Sequence, residues 1–127
     1  STLDGTLFPY TTLFRSCAKL TPTATDADGY WHWYIPVTAS TAFTLSFYFA
    51  KSAANFNGTL KVTIFDTDQE TKLLDAQSVD LSAGDTNYHQ HVCTEKTPTA
   101  TGMCLVRLEI RDGSNTGSVY IDDVAIA

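Results

Sequence analysis

The residues able to do chemistry are few and spread along the chain. Fourteen Asp or Glu stand against eight Lys or Arg, with three histidines, for a formal net charge of −6 over 127 residues. A glycoside hydrolase needs two carboxyl groups held about 5–10 Å apart across a cleft, whereas the acids here fall mostly in polar turns. The exceptions are Glu109 and the adjacent pair Asp122 and Asp123. Nucleophile-elbow, P-loop and HExxH patterns are missing, so no catalytic residue is assigned and a non-enzyme is expected. His89 and His91 are two apart and share a strand face, as zinc ligands joined by His32 would. The plainer expectation is two partly buried, hydrogen-bonded histidines.

A third constellation fits a different chemistry. Sugars present apolar C–H faces ringed by hydroxyls, which exposed aromatic rings and planar polar side chains engage together. His32, Tyr34, Tyr48, Gln90, Arg107 and Glu109 all fall on outward positions by strand alternation and form the candidate carbohydrate-binding set. Outward Tyr, Arg and Glu are also what any solvated strand face carries. The acidic balance, with no basic stripe, argues against nucleic-acid and anionic-membrane partners. No apolar run reaches the length of a membrane span.

These side chains need strands to position them. Phe43, Leu45, Phe47 and Phe49 alternate with Thr44, Ser46 and Tyr48, and Leu60, Val62 and Ile64 alternate with Lys61 and Thr63. Cys104, Val106, Leu108 and Ile110 form one face opposite Arg107, Glu109 and Arg111; Trp31 and Trp33 go with Ile35 and Val37, leaving Tyr30, His32 and Tyr34 outside. A period of two over about eight short runs separated by turns predicts an all-β, antiparallel two-sheet sandwich. In the closing run Gly117 to Ala127, the apolar set Val119 and Ile121 continues as Val124 and Ile126 one position out of phase. The face must shift at Asp122 and Asp123, which predicts a β-bulge there.

That closing run, Tyr120-Ile121-Asp122-Asp123-Val124, resembles the last strand of jelly-roll carbohydrate-binding modules of the kind appended to bacterial xylanases and glucanases. Ile35-Pro36-Val37, a polar turn over Thr38 to Thr41, and Phe43 to Tyr48 are similar to a central segment of the same modules. The resemblance covers residues 17–127. It implies a jelly roll that binds a neutral plant or microbial β-glycan without catalysis, in a secreted or surface-exposed protein with neighbouring domains. It also implies a structural calcium near the chain ends, with Asp122 or Asp123 among its ligands. The alternative is a structural or adhesive sandwich domain of a phage virion or bacterial cell-surface protein, since one fold serves many functions.

Residues 7–16, LFPYTTLFRS, resemble the in-frame translation of a sequencing adapter, as would arise in an assembled environmental DNA contig. The expected organisation is a non-native segment over 1–16 and one domain over 17–127. Ten residues separate Cys93 from Cys104, a length that suits cysteines facing across a hairpin and predicts a disulfide, with Cys17 unpaired. Two reduced core cysteines are the other possibility. The hairpin register would place Gln90 across from Arg107 and Tyr88 across from Glu109, with Glu109 holding the Arg107 guanidinium.

Overall fold

The computed structural model describes residues 4–7, 12–15, 18–21, 28–112 and 117–127. Among them are ten strands: β1 (Asp4–Leu7), β2 (Thr12–Arg15), β3 (Ala18–Leu20), β4 (Asp28–Val37), β5 (Leu45–Lys51), β6 (Gly58–Phe65), β7 (Lys72–Ser78), β8 (His89–Val92), β9 (Gly102–Asp112) and β10 (Val119–Ile126). All pairings are antiparallel and fall into two sheets. One runs β1-β2-β10-β5-β8, with β3 also on β10; the other runs β4-β9-β6-β7.

Alternation drives the packing as expected. Leu45, Phe47, Phe49, Val119, Ile121, Val124 and Ile126 enter the core from the first sheet. Trp33, Ile35, Val37, Leu60, Val62, Ile64, Cys104, Val106, Leu108 and Ile110 enter it from the second, with Trp31 packed at the margin. In β10 the partner of Asp122 is Tyr48 and the partner of Ala125 is Ser46. Asp123 and Val124 therefore stand opposite the single residue Phe47, and Asp123 takes a φ of 49°. Asp tolerates that left-handed conformation better than a branched residue would. The bulge returns Val124 and Ile126 to the core.

The edge of β10 away from β5 is shared by two short strands. β3 pairs with Val119 to Ile121, and β2 pairs with Val124 to Ile126. Residues 12–15 thus supply β2 as a sheet member, with β1 outside it at the edge. The expected domain boundary at Ser16 and Cys17 lies outside the described residues, as does the state of Cys17.

The hairpin expected to join Cys93 to Cys104 does not exist. β8 pairs with β5 in the first sheet, while β9 lies between β4 and β6 in the second. Hairpin loops are usually two to five residues; the longer run between β8 and β9 crosses the roughly 10 Å between sheets instead. It first follows residues 40–45, through Cys93 N–H to Leu45 O (2.8 Å) and Ser40 N–H to Pro98 O (3.0 Å). Cys93 and Cys104 are accordingly free, buried thiols rather than a disulfide. The expected register fails with the hairpin: Gln90 faces Tyr48, and Arg107 lies between His32 and Thr63.

Two polar groups inside the fold hold its loops. Lys51 continues the inward parity of Phe49, and its Nζ donates to the carbonyls of Ala54 (3.3 Å), Leu81 (3.0 Å) and Ala83. Asp66, just after β6, accepts from Thr67 N–H (2.7 Å), Thr99 N–H (3.3 Å) and Thr99 Oγ1 (2.7 Å). Burial pushes its carboxyl pKa up, but the Thr99 hydroxyl and the amides of Thr67 and Thr99 outweigh this and hold it below the usual value.

Three outcomes follow from this architecture. Leu108, fully buried on the central strand β9, should cost about 2–5 kcal/mol when truncated to Ala; a denaturant titration showing almost no loss would mean the inner face is misassigned. Burial pushes the Cys93 thiol up to about 12, and burial with the nearby Asp66 and Asp68 charges pushes Cys104 up to about 11. Both should resist alkylation in the native protein and react fully once it is denatured without reductant, as read by peptide mass. Because the folded pKa of Asp66 lies below its unfolded value, its contribution is present above the unfolded pKa and is lost as pH falls through the folded one. Asp66→Asn should therefore flatten the acid limb of a stability-versus-pH curve relative to wild type.

Candidate functional site

The sandwich has two outer faces, and the six candidate residues divide between them. On the second sheet, β4 presents Tyr30, His32 and Tyr34, because Trp31, Trp33 and Ile35 take the inward positions. β9 beside it presents Leu105, Arg107 and Glu109, and β6 presents Lys61 and Thr63. Register makes the rows explicit. Tyr34 stands beside Leu105, His32 beside Arg107 and then Thr63, and Tyr30 beside Glu109 and then Lys61. His32, Tyr34, Arg107 and Glu109 are therefore neighbours on one surface.

Tyr48 and Gln90 are directly paired with each other, but on the outer face of the first sheet. There they adjoin Asp122 on β10, and Tyr120 lies nearby under the ammonium of Lys19, 5.8 Å from its ring centroid. Alternation assigned the correct parity to all six side chains. It carried no information on which sheet each strand would join.

The β4–β9–β6 face has the more developed aromatic and cationic arrangement. Tyr30 and Tyr34 expose 52% and 46% of their surface, unlike the aromatic residues one position along. The Tyr30 and His32 rings are near-parallel, with centroids 6.4 Å apart. The Arg107 guanidinium lies 5.3 Å from the Tyr30 ring centre and 4.9 Å from that of Phe65, so two aromatic faces fix it electrostatically and sterically. Next to it, Thr59, Lys61, Glu109 and Arg111 line an open cleft of about 350 Å³. Tyr30, Lys61 and Phe65 were not singled out from the sequence. Their parity was readable, but their adjacency to Arg107 depends on the β4-β9-β6 order.

The histidines separate in the same way. His89 and His91 face inward from the edge strand β8, against Phe49 and Phe47, while His32 sits on the outside of the other sheet. His89 Nε2 bonds Asp85 Oδ1 at 2.7 Å. Nε2 of His91 is buried without a partner, and burial lowers its pKa. No zinc constellation joins the three, and no cluster of three or more His, Cys, Asp or Glu able to hold a metal occurs among the described residues.

Calcium prefers six to eight oxygen ligands. At the bulge, Asp122 Oδ1 already accepts the Asp123 N–H at 2.8 Å. Among the described residues no cluster of three or more His, Cys, Asp or Glu gathers around Asp122 and Asp123.

No family model and no curated protein matches the chain. Solved structures do match in fold. The enzymatically active domain of tailspike protein 4 from bacteriophage CBA120 aligns with 99% of the chain at a TM-score of 0.62 and 14% identity, and the chain spans only 19% of its length. The C-terminal domain of EclA, a sugar-binding protein, aligns with 89% of the chain, which covers 78% of that domain, at 0.59 and 10% identity. A family 35 carbohydrate-binding module from Clostridium thermocellum aligns with 91% of the chain, which covers 96% of the module, at 0.56 and 12% identity. At these identities what is shared is the fold, an all-β jelly-roll sandwich.

Proposed function

We propose that the chain is a non-catalytic carbohydrate-binding module of a larger extracellular protein, and that it holds a plant or microbial β-glycan along β4 and β9. The observation that carries this reading is the exposed row Tyr30, His32, Tyr34 beside Arg107 and Glu109. Tyr30 and Tyr34 are four residues apart on one strand, about 13 Å at the strand rise, so their rings serve an oligosaccharide rather than a single sugar. Stacking on C–H faces comes from the tyrosines, and hydroxyl recognition comes from Glu109 as acceptor and Arg107 as fixed donor. The likeness to a carbohydrate-binding module over most of both chains supports the same reading.

A calcium bound at Asp122 and Asp123 is not needed for this face, which lies on the other sheet. The likeness to a tailspike over nearly the whole chain supports a second reading, a structural or adhesive sandwich of a phage virion or bacterial surface protein.

Calorimetry with xylan, glucuronoxylan, β-glucan and mannan oligosaccharides separates the two readings. Binding is expected with micromolar to millimolar Kd, about −8 to −4 kcal/mol, as befits a shallow open face. Tyr34→Ala should weaken it by about tenfold or more, equivalent to the loss of one stacking contact, and Tyr48→Ala should leave it unchanged. The opposite result would move the site to the Tyr48–Gln90 face. No binding to any of the four would favour the virion or surface-protein reading.

A further inference from the structure

Acids outnumber bases in this chain by fourteen to eight, yet the rows around Arg107 on the β4–β9–β6 face hold Arg107 and Lys61 against a single acid. Around Arg107, β4 contributes Tyr30 and His32, β6 contributes Lys61, Thr63 and Phe65, and β9 itself contributes Leu105 and Glu109. Glu109 is the one acid in that set. It makes no ion pair with Arg107, two residues away on the same strand, nor with Lys61, its direct cross-strand partner; ion pairs elsewhere join Lys72 to Asp75 and His89 to Asp85. The expected clamp of Glu109 on Arg107 is therefore not made.

Arg107 is also held in an unusual way for a surface arginine. Its Nε is buried without any acceptor, and its contacts are the faces of Tyr30 and Phe65. Rings can orient a guanidinium but cannot accept its in-plane hydrogen bonds. A fixed, half-buried cation with no carboxylate of its own is a site for an anion carried by something else. The planar fork suits a carboxylate, which it engages through two parallel hydrogen bonds. Lys61 beside the adjoining cleft adds positive charge, while Glu109 is suited to accept from ligand hydroxyls.

Resting on the carbohydrate reading above, we infer that the ligand is an acidic glycan, and that Arg107 reads the carboxylate of a uronic acid while Tyr30 and Tyr34 support the neighbouring rings. This replaces the expectation of a neutral β-glycan. It also assigns Arg107 as the residue that sets specificity, as distinct from the tyrosines that supply affinity for sugars of either kind.

The test compares glucuronoxylan oligosaccharides with the same material after reduction of its carboxyl groups to alcohols, by calorimetry at low and high salt. Wild type should bind the acidic form about tenfold or more tightly, the scale of a charge-assisted bidentate contact, with the margin narrowing at high salt. Arg107→Met should bind both forms alike, and Arg107→Lys, which keeps the charge and disturbs packing less, should regain part of the preference. Equal binding of acidic and reduced forms by wild type would overturn the inference and leave the carbohydrate reading standing. Binding of neither form would sink both. A preference undiminished in Arg107→Met and Arg107→Lys, with both folded by thermal melt, would overturn the assignment of Arg107. Dextran sulfate bound as tightly as glucuronoxylan would show that charge density alone is read, which also overturns it.

Discussion

The backbone of β10 is the constraint on which the first sheet depends. An interior strand must pair its N–H and C=O groups on both sides, because unpaired ones within a sheet are costly. β10 meets β5 along one side; along the other it meets β3 before the bulge and β2 after it. The slip at Asp122 and Asp123 lets one strand keep Val119, Ile121, Val124 and Ile126 inward although the sequence changes phase between them. A straight strand would have turned Val124 and Ile126 outward. The two acids occupy the positions where the chain leaves the regular ladder, where polar groups are best tolerated.

The core, in turn, fixes the outer faces. Since Trp33, Ile35 and Val37 are required inside, Tyr30, His32 and Tyr34 are outside whatever their function, and the same holds for Arg107 and Glu109 opposite Val106, Leu108 and Ile110. Parity explains where these side chains point but not what they are. Any polar residue would satisfy the fold at those positions. The Arg107 contacts with the Tyr30 and Phe65 rings offset part of the cost of a half-buried cation without an acid partner, whereas the exposed area of Tyr30 and Tyr34 gains little from folding. Choices the fold does not require are where a binding function becomes visible.

The same physics sets how much was legible in the sequence. Alternation is local, so the inward and outward faces of β4, β5, β6, β9 and β10 could be read directly, and a phase slip in a short run revealed the bulge. Strand order is not local. Nothing within residues 87–112 states that β8 joins β5 while β9 joins β4 and β6, and placing those two strands in one hairpin produced both the mistaken disulfide and the mistaken register. The loop between them held a usable signal, since its length and Pro98 suit a crossing between sheets better than a tight turn. The six candidate contacts likewise had the right parity and a wrong implied adjacency, because Tyr48 and Gln90 lie on one sheet and the other four on its partner. The inward parity of Lys51 after Phe47 and Phe49 was visible, but the three carbonyls that satisfy it come from two separate loops.

A fold shared by a tailspike domain, a sugar-binding domain and a carbohydrate-binding module at 10–14% identity places few demands on its outer side chains. The choice between functions then rests on whether one face is organised beyond what solubility needs. The Tyr48–Gln90 face carries the exposed Tyr48 and the half-buried Tyr120, whose ring lies under the Lys19 ammonium. The β4–β9–β6 face differs in kind. Its arginine is immobilised by two rings, its lysine and glutamate stand across from each other without closing an ion pair, and its tyrosines remain open to water at strand spacing. On the acidic-glycan proposal these features share one ligand, whose carboxylate would give the guanidinium in-plane acceptors while its hydroxyls would donate to Glu109.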